Sequence, residues 1–223
     1  MSETPKIEPK WQPSEKFYAG FRKACEGHKD HVRKGSDIPY IGHLLGVASA
    51  VIEAGGTEDQ AIAAFLHDMV EDTDVSVAEI KVEFEVTVAE IVDACTDATK
   101  EQKDAEKIEL ANASQKEKNN RWWARKSKYI DGLTKKTMDD PSVLVALADK
   151  TYNAENTAAD LRGKNSKDRK RVWSKFNVGE KLQRKWYRGL LKAFKKNKTY
   201  DKFSQPLFNR FEAAVNEIFP NNK

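Results

Sequence analysis

Apolar residues recur every three to four positions along almost the whole chain, the spacing that gathers them on one face of an α-helix. Phe17, Phe21, Ala24 and Cys25 predict a first helix over about residues 14–27. Leu44, Val47, Ala48, Val51 and Ile52 predict a second, with Pro39 in its first turn and Gly55-Gly56 ending it. Thr57-Glu58-Asp59-Gln60 has the form of a capping box, in which the first side chain accepts from the backbone three residues on and the fourth reaches back. The helix it opens turns Ile62, Phe65, Leu66 and Met69 inward. Ser76-Val77-Ala78-Glu79 and Thr87-Val88-Ala89-Glu90 repeat the signal and predict two short helices with Ile80, Phe84, Ile91 and Val92 inward. Trp122, Trp123, Tyr129, Ile130 and Leu133 mark another. Asp140-Pro141, an N-cap followed by proline at the first helical position, starts a helix over 142–161 carrying Val143, Leu144, Leu147, Ala148 and Tyr152. Two last helices are predicted over 178–195 and 206–218. No long β-alternating run and no repeat occurs, so the expected fold class is all-α.

The interruptions divide the chain. Residues 1–13 hold three prolines and read as a loose arm. Residues 29–37 and 163–171 read as basic loops. Residues 99–119 are charged and poorly periodic, and read as a mobile insertion or frayed helix. The expected organisation is one helical domain over 14–162 and a basic helical extension over 163–223 packed on it. At 223 residues the chain can bury one sizeable core, and its 33% charged residues imply a solvated surface.

The formal net charge of +4 does not by itself call for nucleic acid. Lysines and arginines nonetheless cluster from Arg162 to Lys202, among Trp173, Phe176, Trp186 and Tyr187. Three readings compete: a nucleic-acid surface, a helix pair with core aromatics and solvated lysines, or a set in which Arg184, Lys185 or Arg188 reaches an active site. The spacing of Trp186, Leu190, Leu191 and Phe194 favours the helix pair, so no nucleic-acid partner is expected. Trp122 and Trp123 are adjacent and cannot both face one core. Cys25 and Cys95 have no metal-ligand spacing and read as small core residues. The N-terminus lacks a signal-peptide core, and the longest apolar stretch, 38–52, is too short for a membrane span and is broken by His43. A soluble, cytoplasmic protein is expected. Nothing in the pattern sets an oligomeric state.

The chemistry concentrates in His67-Asp68-Met69-Val70-Glu71-Asp72-Thr73, with His43 before it and Asp149 after it. Residues four apart share a helix face, so His67 pairs with Glu71, Asp68 with Asp72, and Asp149 with Asn153. Three helices could bring two imidazoles and two carboxylates to one point. Such a set lacks thiolate and suits Mn²⁺, Fe²⁺, Mg²⁺ or Zn²⁺ with open water positions. Glu71, outside the ligand set, could act as general base toward water, and Asp72 could orient that water or Glu71. Each residue alone has a plainer explanation: a hydrogen-bonded core histidine, a chance His-Asp pair, a solvated helix end, a surface ion pair. Together they would be buried charges, which need partners or a metal.

Arg33-Lys34, Pro39-Tyr40-Ile41-Gly42-His43, the stretch Leu66–Thr73 and Leu147-Ala148-Asp149-Lys150-Thr151-Tyr152-Asn153 resemble, in this order, the motifs of the HD-domain metal phosphohydrolases. Within these they resemble the hydrolase domain of RelA/SpoT-type enzymes, and in form the stand-alone small alarmone hydrolases. The resemblance covers about residues 17–161. It implies Mn²⁺-dependent removal of pyrophosphate from the 3′ position of (p)ppGpp or a related alarmone such as (p)ppApp, hence a place in the stringent response. It implies His43, His67, Asp68 and Asp149 as metal ligands, Glu71 and Asp72 as water activators, and Arg33, Lys34 and Asn153 as substrate contacts. With no synthetase domain in the chain, hydrolysis alone is expected. The chain departs from the pattern at Asp37-Ile38, at Gly42 and over the charged stretch ending at Asn119, all near the expected nucleotide contacts. An HD-type nucleotidase, or a non-catalytic nucleotide- or partner-binding module, would use the same residues.

Overall fold

The computed structural model describes residues 8–196 and 198–220; the first seven residues of the expected arm lie outside this range. The described residues form eleven helices: α1 (Glu15–Gly27), α2 (Ile41–Glu53), α3 (Glu58–Leu66), α4 (Met69–Asp72), α5 (Val77–Cys95), α6 (Lys100–Glu109), α7 (Gln115–Lys135), α8 (Ser142–Leu161), α9 (Ser166–Trp173), α10 (Glu180–Lys195) and α11 (Ser204–Ile218). Among them the only bridge pairing is Val32 with Pro39. The expected all-α class is what the chain adopts. No described helix is long and apolar enough to cross a membrane.

Local chemistry explains most helix starts. Thr57 and Ser76 make the expected capping boxes. Gly55, at φ 80°, ends α2 in a conformation that only glycine adopts cheaply, and the Gly56 N–H closes back on the Val51 carbonyl at 2.9 Å. Asp140 caps α8 by accepting from the Ser142 backbone at 3.0 Å. Residues 8–13 are tied down rather than loose: Trp11 Nε1 donates to the Gly56 carbonyl at 2.9 Å and its ring packs on Phe17.

Besides this arm, five features differ from the sequence-based expectation. Residues 99–119 are helical, because Thr99 with Gln102 and Ser114 with Glu117 form two further capping boxes that start α6 and α7. Asn165 caps α9 through the backbone N–H groups of Lys167 and Asp168, so all of the expected basic loop from Ser166 onward is helix. Pro39 lies outside α2, held in the bridge to Val32. The two short helices expected after Ser76 exist, but the break falls at Glu85 (φ 71°, ψ 173°), and Thr87 lies inside the second segment rather than capping it. Ile52 faces out, 42% exposed.

The long helix α8 is the hub of the fold, packed against α2, α3, α5 and α11. One continuous core joins Leu44, Leu66, Ile91 and Leu147 to Trp173, Leu190, Phe211 and Phe219. The tail aromatics Trp173, Trp186 and Tyr187 are thus buried, as the helix-pair reading requires. Cys95 is buried and Cys25 half-buried, both as free thiols.

Candidate functional site

α3 ends at Leu66 and α4 begins at Met69, so His67 and Asp68 occupy an elbow between two helices rather than one continuous turn. The elbow stays near helical geometry, and the Asp72 N–H still bonds the Asp68 carbonyl at 2.9 Å, which keeps Glu71 and Asp72 one turn beyond. α2 presents His43 from its first turn, and α8 presents Asp149 from its buried middle.

These four side chains converge. His43 Nε2 and His67 Nε2 are 3.3 Å apart. Asp68 Oδ2 lies 3.0 Å from His67 Nε2 and 3.5 Å from His43 Nε2. Asp149 Oδ1 lies 3.4 Å from His43 and 3.6 Å from His67. His43, His67 and Asp68 alone place donor atoms within 4.8 Å of one another. Ligands about 2.1 Å from a shared ion stand roughly 3 Å apart, so the cluster has the dimensions and the N/O donor set of a divalent-metal site.

Neighbouring groups fix the donors. His67 Nδ1–H donates to the Ala64 carbonyl at 2.8 Å, which turns Nε2 toward the cluster. Tyr40 donates to Asp68 Oδ2 at 2.5 Å. Asn153 Nδ2 donates to Asp149 Oδ1 at 2.5 Å, and Lys150 pairs with the other Asp149 oxygen. Burial alone would push the Asp68 carboxyl up, but His67 and His43 outweigh it and hold it well below the usual carboxylate range. Asp149 is likewise held well down against burial, by Lys150 and the two imidazoles. Burial pulls the other way on the imidazoles, yet the carboxylates raise His43, and His67 further still. A buried cluster of this kind demands positive charge, from protons or from a cation.

Glu71 and Asp72 stand beside the cluster in a different setting. Burial pushes both carboxyls up, and Lys103 of α6 opposes it from 2.5 Å at Glu71 Oε2 and 3.1 Å at Asp72 Oδ1. Glu71 Oε1 also accepts from the Asp97 backbone N–H at 2.9 Å. Asp97 in turn pairs with Arg125 and Lys126 of α7. A cleft of about 1230 Å³ opens from Glu71 and Asp72 along α6 and α7 to Asn177 and Val178.

The other expected residues are placed less directly. Arg33 lies 3.7 Å from Asp160, and Lys34 donates at 2.8 Å to Asn177, which lines that cleft. Arg184 and Arg188 bond the carbonyls of Pro220 and Phe219, and Lys185 sits over the Trp123 ring, so none of the three turns to the cluster. Sequence reasoning missed Tyr40, Lys103 and the Asp97 network. Tyr40, one turn before His43, was within reach of spacing arguments; Lys103 was not, since nothing local links it to Glu71.

Residues 21–178 match the family model described as HD domain. A guanosine-3′,5′-bis(diphosphate) 3′-pyrophosphohydrolase from Xenopus tropicalis, MESH1, is 46% identical over 77 residues, 33% of this chain and 43% of that protein. An enzyme of the same description from Haemophilus influenzae is 31% identical over 139 residues, 62% of this chain and 18% of that protein. The matched segments thus span less than half of these curated relatives. Among solved structures, a metazoan orthologue of SpoT described as hydrolysing ppGpp superposes with a TM-score of 0.65 at 22% identity, over 93% of this chain and 97% of that one, a likeness of fold.

Proposed function

This chain belongs to the HD-domain family, and from that premise we propose that it is a metal-dependent hydrolase removing pyrophosphate from the 3′ position of (p)ppGpp or a close alarmone such as (p)ppApp. The observation that carries the proposal is the meeting of His43, His67, Asp68 and Asp149 with Glu71 and Asp72 alongside. The names of the relatives supply the substrate class.

In this reading the two imidazoles and two carboxylates hold the ion, with Mn²⁺ suited to a sulfur-free donor set. A divalent ion there supplies Lewis acidity toward phosphoryl oxygens and lowers the pKa of water. Glu71 takes the proton of the attacking water, helped by a carboxyl group that burial has made more basic than usual. Asp72 and Lys103 hold Glu71 and the water in line. Water adds to the phosphorus nearest the ribose, the bond from that phosphorus to the 3′ oxygen breaks, and that oxygen leaves with a proton. Tyr40 and Asn153 keep Asp68 and Asp149 oriented, while Arg33 and Lys34 meet the nucleotide. The cellular consequence is a lowered alarmone level.

The test is incubation of Mn²⁺-loaded protein with guanosine and adenosine alarmones, reading pyrophosphate against orthophosphate. Pyrophosphate release that stops on chelation is expected. Orthophosphate with nucleoside would instead mark a nucleotidase, and no turnover of any alarmone would falsify the proposal.

A further inference from the structure

At about 1230 Å³ the cleft beside Glu71 is far larger than the reacting bond requires, and most of its lining comes from the α6–α7 hairpin. Most charges on this wall are already matched. Lys103 holds Glu71 and Asp72, Arg125 holds Asp97 and Glu106, Lys126 holds Asp97, and Lys100 holds Asp104 at 3.3 Å. Two lysines lining the same cleft, Lys107 on α6 and Lys118 on α7, have no ion pair among the described residues. Trp122 lines the cleft as well, half-buried, and its neighbours Trp123 and Trp186 meet it at 38° and at 72°, so neither stacks flat on it. Ile108 adds an apolar surface that is 78% exposed, an unusual placing for isoleucine on so charged a helix.

An unmatched cation from each of two helices, a tryptophan without a flat partner and an uncovered isoleucine, all lining one cleft, fit a ligand with an aromatic ring and anionic oxygens remote from the reacting bond. We propose that the α6–α7 hairpin is the substrate-selecting wall of this site, with Trp122 stacking on a nucleobase and Lys107 and Lys118 taking phosphate oxygens. The proposal deepens the hydrolase reading and rests on it for the position of the reacting bond. It accounts for why the charged stretch between Asp97 and Trp122 folds into two capped helices beside the cluster.

The test is equilibrium binding to the full, metal-loaded chain, by calorimetry and tryptophan fluorescence, with guanosine 5′-diphosphate and inorganic pyrophosphate as probes, and with guanosine tetraphosphate in a Glu71→Gln background that does not turn it over. Trp122→Leu is expected to weaken both nucleotides roughly tenfold, as loss of one base–aromatic stack does, and to leave pyrophosphate unchanged. Trp122→Phe, which keeps a ring, is expected to restore most of the affinity, an outcome that lost packing against Trp186 alone would not give. The double variant Lys107→Glu, Lys118→Glu is expected to weaken the nucleotides and flatten their salt dependence, and it carries the test should Trp122→Leu fail to fold. Wild-type nucleotide affinity in both Trp122→Leu and the lysine double variant, or no nucleotide binding by the wild type, overturns the proposal. Trp122-dependent nucleotide binding in a protein that hydrolyses no alarmone would retain the wall and discard the hydrolase reading.

Discussion

The α3–α4 elbow and the α6–α7 hairpin border one cleft and both carry ionisable side chains, yet the two regions use them in opposite ways. At the elbow His67 is 3% exposed and Asp149, which meets it, is 5% exposed, and His67, Asp68 and Asp149 each have a hydrogen-bond partner outside the cluster. In the hairpin α6 buries none of its residues, and its outward charges stand in water or in exposed pairs. Desolvation makes the difference. A charge in water is screened and replaceable, whereas a buried charge left without its partner costs several kcal/mol. On the proposed reading the elbow carries the chemistry and the hairpin selects what it acts on.

That contrast breaks first at the elbow. His67→Ala or Asp68→Ala is expected to lower turnover by more than about 100-fold and to release the metal, since even groups that only orient a ligand are worth roughly 10–100-fold. Metal content after dialysis, measured beside pyrophosphate release, checks both parts; retained metal with full turnover would remove these residues from the ligand set. Glu71→Gln is expected to lose on the order of 100-fold or more in kcat, the scale of a general base, while metal content stays at the wild-type level. Loss of metal in this variant would make Glu71 a ligand instead.

Lys103→Met tests where the two regions touch. Burial pushes the Glu71 carboxyl up and Lys103 is the strongest opposing charge, with Lys126 weaker, so removing Lys103 lets the carboxyl rise further. The base works ionised, so activity is present above its pKa and falls away as pH drops through it. The acid limb of the kcat/KM profile should therefore move to higher pH in Lys103→Met, and an unmoved limb would detach the hairpin from the base. The smallest effect is expected in the hairpin's own fold. Ser114→Ala removes the α7 cap, a loss of about 1 kcal/mol, which lowers Tm by roughly 2–4 °C at this size and leaves metal content unchanged.

The hairpin was also the less legible of the two regions. Thr57-x-x-Gln60 and Ser76-x-x-Glu79 stand out because apolar runs follow them. Thr99-x-x-Gln102 and Ser114-x-x-Glu117 make the same bonds, but the residues behind them are charged, and a helix that buries little leaves little periodicity to read. Thr87-x-x-Glu90 misleads in the other direction: the signal is present, yet the chain breaks at Glu85, whose carboxylate meets Lys16 of α1 at 3.0 Å. Within the candidate site, the cluster of His43, His67, Asp68 and Asp149 was legible from motif and spacing. The engagement of Arg33 with Asp160 and of Lys34 with Asn177 was not, because the partners lie on distant segments.

The sequence by itself determined where most helices start, since caps and glycine stops act over three or four residues. It also determined which chemical groups were on offer, including an adjacent His-Asp pair followed one turn later by two carboxylates. Tertiary structure alone decided that His43 and His67, 24 positions apart, bring their nitrogens within 3.3 Å. It decided that a lysine 31 positions beyond Asp72 closes on the carboxylate pair, and that burial moves those carboxyls up while Asp68 and Asp149 are held down. The physical reason is that charge interactions and desolvation depend on distance in space and on the surrounding medium, and separation along the chain fixes neither.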